Sequence, residues 1–457
     1  MTTAVTTQKG TVSQRLAEHV VGTRFADLPP AVIERAKDSL IFHVSRVFAE
    51  RFEENGRAAV RLAQRLSGGS TDAPIIGHRE RAATLDAIFA HSELLGDLHD
   101  KHLPSKVFVA RVAEPVAWVL GEQEHVSGRE LITALVVAYD AACKLAEPVL
   151  MAGDYARMPN KCAFGPFAPA AVAARFLRQD ARRAAQTLAL AAHYGMGNNE
   201  GYGYAHVFSL IARNGVMAAL LPGFTAAETY GSIESPYGLY AALFGGPPEG
   251  LEPSLASLGR DFSIMGLLVR GATGGSHLAP LQVGEALIAR LALQADAVER
   301  VTATLPEEFR GRFGKRETAI QRDQPTLPDL QQSLRLQLAI LLVERTVREP
   351  TFDHYANPIV RAAMDRIEFA FEVRPVDWAA IELRTRDGRV FREEGRIRVA
   401  PKGDWSAWLR QDGERFLSEA KLTKLEQLLT HLEDVNDVAE VLACTVPDRD
   451  EVSATTA

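Results

Sequence analysis

Apolar residues recur at three- and four-residue steps over most of the first 245 positions of this 457-residue chain. This spacing predicts amphipathic helices, because side chains three or four positions apart share one face of a helix. Helix-start signals support the prediction: Ser127-Gly128-Arg129-Glu130 precedes one segment, and Asp180 is placed to cap another. The predicted helices are 31–48, 58–66, 82–95, 111–120, 129–145, 167–178 and 182–194.

The pattern changes at the turn-rich segment Gly245-Gly246-Pro247-Pro248-Glu249-Gly250. Beyond it, alternating and β-branched stretches predict strands, and Asp387-Gly388 is a hairpin turn signal between the last two of them. The predicted strands are 298–305, 366–373, 378–385 and 390–393, and the predicted helices are 278–293, 331–347 and 418–442.

The chain is too long for one ordinary hydrophobic core, so more than one domain is expected. The change of pattern predicts a mainly α protein with a smaller α+β domain. The expected division is a disordered N-terminus 1–14, a helical domain 15–262, an α+β domain 263–402, a helical tail 403–445 that returns to the helical domain, and a disordered C-terminus 446–457.

Composition and charge narrow the class of protein. A hydrophobic content of 47% with 24% charged residues is typical of globular proteins, and a net charge of −7 excludes a general basic surface for nucleic acid. Cys143, Cys162 and Cys444 are far apart and form no CxxC pair, which favours a reducing compartment and disfavours a zinc site. No membrane span or leader segment is recognised, so we expect a cytoplasmic protein.

The segment Gly96-Asp97-Leu98-His99-Asp100-Lys101-His102 holds five ionisable side chains in seven positions, directly after an apolar helical run. Such clusters are where pKa values are tuned for proton transfer. Asp97 is the first candidate acid or base, and His99 and His102 can exchange protons near neutral pH. The alternative is a solvated helix end, with Asp97 in a structural hydrogen bond.

Two glycine-rich segments are further candidates. The segment 195–206 combines glycines with Tyr204 and His206, and the segment 271–277 ends in Ser276-His277 before a predicted helix, where backbone amides favour a carboxylate. The alternatives are a flexible linker for the segment 195–206 and a plain helix-capping turn for the segment 271–277. Lys101, Lys106 and Lys161 can bind a substrate carboxylate or can point into solvent. Arg213 can bind the substrate, or it can form an ion pair with an internal acid.

Several short motifs in a fixed order resemble the MmgE/PrpD superfamily, which includes 2-methylcitrate dehydratases, cis-aconitate decarboxylases and an iminodisuccinate epimerase. The resemblance covers nearly the whole chain. Its motifs are HSELLGDLHD at 91–100, where the family usually has a His/Leu-Asp-Phe-Asp-Asp pattern, AFGPFAPAA at 163–171, ARNG at 212–215 followed by GFT at 223–225, Ser276-His277, and Ser333-Leu334.

The resemblance implies an all-helical domain built from both chain ends, an inserted α+β domain and a site in the cleft between them. It also implies homodimers, chemistry without metal or organic cofactor, and removal of a proton or CO₂ next to a carboxylate of a small di- or tricarboxylic acid. Such a reaction needs a base, donors for the enolate-like oxyanion, and cations on the remaining carboxylates.

The sequence also departs from the family pattern. His99 replaces the middle acid of the acidic segment, and Lys101 stands where threonine is usual. We therefore transfer neither the dehydratase nor the decarboxylase activity. Phe108 lies near an expected histidine, and MPNKC at 158–162 stands where the family has a histidine and a threonine. Two family lysines are also missing: GYAH at 203–206 fills the place of one, and Leu268, with Arg270 nearby, fills the place of the other. Leu336 stands where an aromatic residue is expected.

These observations predict a cofactor-independent carbon–oxygen or carbon–carbon lyase that removes a proton alpha to a carboxylate. The alternatives are an epimerase or isomerase, and a non-catalytic dimeric binding protein with an eroded site. The predicted catalytic residues are Asp97, His99, His102 and Lys101, and the predicted substrate-binding residues are Lys106, Lys161, Asn160, Tyr204, His206, Arg213, Arg270, Ser276 and His277.

Overall fold

The structure is a computed structural model. It describes residues 10–51, 54–95, 100–102, 104–152, 160–195, 207–224, 231–269, 276–291, 293–321, 324–348, 350–398 and 405–448. The chain forms two compact units, residues 1–269 together with 402–457, and residues 270–401. The predicted fold class, mainly α with a smaller α+β domain, is confirmed. The larger unit is helical and uses both chain ends, and the inserted unit is α+β.

The helical unit is organised around α5 and α6, whose residues are almost all buried. The amino-terminal helices are α1 Val12–Gly22, α2 Pro30–Glu50, α3 Glu54–Leu66, α4 Thr84–Leu94, α5 Val109–Gln123, α6 Gly128–Ala152, α7 Asn160–Phe164, α8 Phe167–Phe176, α9 Ala181–Ala191, α10 Val207–Leu220, α11 Leu239–Phe244 and α12 Leu251–Ala256. Asp180 caps α9 by accepting the N–H of Arg183, as predicted.

This unit contains two short antiparallel strand pairs, one local and one that joins distant parts of the chain, and neither pair is foreseen by the hydrophobic pattern. β1 Ala73–Pro74 pairs with β2 Arg81–Ala82. β3 Asp100–His102 pairs with β4 Leu267–Val269, so that His102 lies opposite Leu267. The second pair brings the last three residues of the segment 96–102 next to the end of the amino-terminal part of the unit.

The inserted unit is a four-stranded mixed sheet with helices. β5 Val298–Pro306 lies between β6 Ile367–Glu372, which is parallel to it, and β7 Trp378–Thr385, which is antiparallel; β8 Val390–Arg396 completes the order β6-β5-β7-β8. The predicted hairpin at Asp387-Gly388 joins β7 to β8, with Gly388 at φ 84°. The helices are α13 Leu278–Leu291, α14 Arg310–Ala319, α15 Leu327–Gln331, α16 Leu334–Glu344, α17 Phe352–Ala356 and α18 Pro358–Met364.

The carboxyl-terminal residues form α19 Trp405–Gly413, α20 Glu419–Thr430 and α21 Ala439–Thr445. The single helix predicted over 418–442 is wrong, because α20 ends at Thr430 and His431 leaves the helical region at φ −114° and ψ 43°. Asp437 then accepts the N–H of Ala439, the first residue of α21, at 2.9 Å. Among the described helices, none combines the length and the apolar character needed to cross a membrane.

Candidate active site

The predicted residue His102 stands at the end of β3, where the chain turns tightly. Its N–H donates to the carbonyl of Val107 at 3.2 Å, and its own carbonyl accepts the N–H of Lys106 at 2.8 Å. Lys106 has φ 58°, a left-handed conformation that a residue with a Cβ adopts only at an energetic cost. The turn therefore holds the His102 backbone in one position.

Hydrogen bonds assign the tautomer of the His102 ring. The N–H of Ser105 donates to Nδ1 at 3.2 Å, and the Ser105 hydroxyl lies 2.7 Å from the same nitrogen. Because Nδ1 accepts a backbone N–H, we assign the ring proton of the neutral form to Nε2. The ring therefore presents a donor at Nε2, and the backbone of Ser263 beside the ring raises its pKa.

His102 is 1% exposed, and burial lowers its pKa to about 3. The positive charges of Lys106 and Lys144 lower the pKa further, whereas the backbone of Ser263 opposes them. The ring is consequently neutral at pH 7. A neutral, buried imidazole can support a neighbouring carboxyl by packing and by its dipole; it does not remove a proton from a ligand in solvent.

The neighbouring carboxyl belongs to Glu147, whose Oε1 lies 3.7 Å from His102 Nε2. The Glu147 side chain is 24% exposed, so this carboxyl reaches solvent while the histidine does not. Burial raises the pKa of Glu147 to about 7, the negative charges of Asp140 and Asp261 add to that rise, and Lys144 opposes it. A carboxyl group in this range can both accept and return a proton near neutral pH.

Glu147, Lys144 and Asp140 are carried by α6 at spacings of three and four residues, and therefore share one face of the helix. Lys144 is 5% exposed, and the Asp140 side chain is fully buried. Our sequence analysis did not single out these three residues. Three charged side chains at helical spacing inside an otherwise apolar helix are the signal that could have identified them.

A glycine makes room for the His102 ring. A Cβ on Gly266, in the 3-10 turn Ser263–Gly266, would lie 2.5 Å from His102 Nε2 and 2.9 Å from Cδ2. Real Cβ atoms do not approach so closely, so this turn can contact the ring only with glycine at this position. Sequence reasoning gave no indication of this contact, because it depends on the β3–β4 pairing.

The inserted unit holds a second buried histidine, His277, directly before α13. Its Nδ1 lies 2.8 Å from Gln337 Oε1, and its ring packs on Phe313 with 5.3 Å between centroids. Gln337 Nε2 donates to the Gln331 carbonyl, so we assign Oε1 as an acceptor and place the His277 ring proton on Nδ1. Ser276 accepts a hydrogen bond from Arg316 at 3.4 Å.

The remaining predicted site residues are spread over other parts of the chain. Arg213 lies on α10 with Nη2 3.4 Å from Asp86 Oδ1, which is the internal ion pair that the sequence left open as its alternative. Lys101 belongs to β3, and Asn160 and Lys161 open α7; the structure describes only the backbone of these three. Five predicted residues lie outside the described residues: Asp97, His99, Tyr204, His206 and Arg270.

Across the described ranges, no three His, Cys, Asp or Glu side chains converge in a way that would hold a metal ion. Burial raises the pKa of the Cys143 thiol well above its usual range, so this cysteine, 3.3 Å from the Ser105 hydroxyl, is a neutral packing residue.

A helical unit that uses both chain ends and an inserted α+β unit agree with the fold class implied by the sequence motifs. The chain belongs to the MmgE/PrpD family: the model of the MmgE/PrpD N-terminal domain matches residues 14–251. Members of this family are generally enzymes of the lyase or dehydratase type, and a lyase-like or related function is supported at that level. Comparison with curated proteins finds no match.

Proposed function

We propose that this protein is a lyase that acts on a small di- or tricarboxylic acid, with Glu147 as the general base that removes a proton alpha to a carboxylate. The observation that carries the proposal is the pairing of a partly exposed carboxyl with a fully buried histidine at 3.7 Å. The exposed group can meet a ligand, and the buried group can fix its orientation. Reacting groups are commonly arranged in this way.

The charges around Glu147 suit an anionic substrate. Lys144 lies three residues earlier on the same face of α6, and Lys106 lies in the turn that follows β3. Ammonium groups attract carboxylates, and they also lower the energy of the enolate-like oxyanion that forms when the alpha proton leaves. The net charge of −7 would repel a polycarboxylate, so local cations are needed for binding.

In the proposed reaction, the ionised Glu147 carboxylate takes the alpha proton and the C–H electron pair moves into the adjoining carboxylate. The C=C bond then forms as the bond to the β-hydroxyl breaks, and a proton returned to the leaving oxygen gives water. Asp97 and His99, a few residues ahead of His102, are our candidates for the proton donor. If a proton instead adds to the opposite face of the alpha carbon, the same first step gives an epimerase.

Proton NMR in D₂O tests this function with 2-methylcitrate, citrate, cis-aconitate and malate as probes. We expect deuterium to enter an alpha position, with an alkene product for a lyase and without one for an epimerase. If an acid binds measurably and shows neither exchange nor turnover, the enzyme proposal fails and the binding-protein alternative is favoured.

Glu147→Gln is the matched variant, because it keeps the size of the side chain and removes the base. We expect it to abolish exchange while the protein remains folded. Wild-type exchange in this variant would remove Glu147 from the mechanism even if the protein is an enzyme.

A further inference from the structure

We infer that Asp140 is a positioning residue, which holds His102 and Glu147 in their reactive arrangement through the backbone of Ser263. The inference rests on the proposed function of Glu147. It concerns a fully buried carboxylate that has no route to a ligand and that sequence reasoning did not select.

The contacts form a continuous chain. Asp140 Oδ1 accepts the N–H of Ser263 at 2.7 Å, and Asp140 Oδ2 lies 2.9 Å from Nε2 of His19 on α1. The backbone of the same Ser263 lies close enough to the His102 ring to raise its pKa, and Gly266 at the end of the same turn contacts that ring. The backbone of Ser263 therefore connects the Asp140 carboxylate to His102, the histidine beside Glu147.

The 3-10 turn Ser263–Gly266 is held at both of its ends. Its first N–H is bound by Asp140, and its last residue touches the His102 ring so closely that a Cβ would not fit. A shift of the turn would therefore move the backbone beside the His102 ring and the wall against which the ring rests. Because packed interiors transmit such shifts, the Asp140 contact fixes the ring position.

Asp140 also acts on Glu147 through its charge. The charges that act on Glu147 are those of Lys144 and Asp140 on α6 and of Asp261 before the 3-10 turn, and His102 lies 3.7 Å away. Lys106, in the turn after β3, acts on the His102 ring. Asp140 and Asp261 both raise the pKa of Glu147. The two aspartates differ in one respect that an experiment can use: Asp140 binds the Ser263 N–H, whereas Asp261 is exposed.

Three variants separate the two effects: Asp140→Asn keeps an oxygen acceptor for Ser263 and loses the charge, Asp140→Ala loses both, and Asp261→Asn is the matched control for charge alone. The rate of alpha-proton exchange is measured against pH with whichever probe acid exchanges. The exchange rate should fall at low pH, where Glu147 is protonated; we call this fall the acidic limb. We expect all three variants to move the acidic limb to lower pH, because each removes a negative charge that raises the pKa of Glu147. We expect only Asp140→Ala to lower the high-pH plateau as well, by roughly ten- to a hundredfold, because it alone frees the turn.

A readout that does not need turnover is the NMR spectrum of ¹⁵N-labelled histidine, with His102→Gln used to assign the His102 signals. We expect the Nε2-protonated state of wild type to persist in Asp140→Asn and Asp261→Asn and to be lost in Asp140→Ala. If Asp140→Ala lowers only the melting temperature, with wild-type plateau, limb and ring signals, Asp140 is structural and the inference is overturned.

The Glu147→Gln result keeps the two proposals apart. Loss of exchange in Glu147→Gln together with wild-type behaviour of the Asp140 variants overturns the positioning role alone. Full exchange in Glu147→Gln overturns the proposed function, and the inference that rests on it falls with it.

Discussion

At the scale of single residues, the site depends on two side chains whose acid strengths burial moves in opposite directions. Burial raises the pKa of Glu147 to about 7 and lowers that of His102 to about 3. Both shifts favour the uncharged form, as desolvation requires. The carboxyl keeps partial contact with solvent and the imidazole does not, so the roles of base and orienting group follow from exposure.

The pH dependence of exchange should report the Glu147 carboxyl. The base must be ionised, so we expect the rate to fall below about pH 7 with an acidic limb centred there. A limb near pH 4.5 would show that the carboxyl is not held in this environment during catalysis.

The raised pKa of Glu147 should also make the free energy of unfolding depend on pH. A folded pKa of about 7 against 4.5 means that the folded state binds more protons between these values, so its stabilising contribution is present below pH 4.5 and is lost as pH rises through 7. We expect Glu147→Gln to be more stable than wild type at pH 8 and nearly equal to it at pH 4.5. Denaturant unfolding at both pH values measures the difference, and equal effects at the two pH values would contradict the raised pKa.

Asp97→Asn tests the sequence-based candidate. We expect this variant to abolish turnover while its melting temperature stays close to that of wild type, because an amide replaces the carboxylate without a change of volume. Calorimetry beside the exchange assay makes the test. A large loss of stability would show that Asp97 has a structural role.

At the scale of elements, close approaches of backbone to side chain position the site. The 3-10 turn Ser263–Gly266 rests on the His102 ring, and α10 approaches α8 so closely that a Cβ on Gly215 would lie 2.4 Å from Pro169 Cγ. The motifs at 163–171 and 212–215 therefore meet in the fold, and packing accounts for the glycine of the second.

Gly266→Ala is the element-scale test. The added methyl group must displace the His102 ring or the turn, so we expect a loss of roughly 1–3 kcal/mol of stability together with reduced exchange. Gly223→Ala is the matched control, because nothing lies within 4 Å of the added Cβ there. Equal behaviour of the two variants would rule out the close contact with His102.

Local patterns identify elements well and distant contacts poorly. The spacing of apolar residues predicts α2, α5 and α6, and the Asp387-Gly388 turn predicts the β7–β8 hairpin, because these depend on residues near in sequence. The β3–β4 pair joins positions far apart in the chain, so no local pattern foretells it. For the same reason, His102 is found from the sequence, whereas its partners Ser263 and Gly266 are not.

At the scale of the whole molecule, buried neutral histidines make the fold sensitive to acid. Burial lowers the pKa of His91, on α4, to about 3, as it does for His102. Among the described residues neither ring nitrogen of His91 has a hydrogen-bond partner. In the unfolded chain, histidine has a pKa near 6.5. Between about pH 6.5 and 3 these histidines are therefore protonated in the unfolded chain and neutral in the folded protein.

We therefore expect these histidines to lower stability as pH drops below about 6.5 toward 3, each by about 1.4 kcal/mol per pH unit, while Glu147 opposes one of them between about pH 7 and 4.5. His91→Leu should reduce the slope, and the exposed His431→Leu should leave it unchanged. Denaturant unfolding between pH 7 and 4.5 measures both slopes. A His91→Leu slope equal to that of wild type would show that the buried ring is already protonated.

The division of the helical unit between the two chain ends has a consequence for biosynthesis. Phe48 on α2 stacks on Phe416 with 6.0 Å between ring centroids, and the N–H of Gly77 donates to Thr445 Oγ1 at 3.1 Å. On the ribosome, residues 270–401 emerge before either partner from the tail exists. The inserted unit can therefore complete its sheet while the larger unit still exposes the surface of α2 that the tail will cover. Nascent chains stalled at this stage should be the species that chaperones capture.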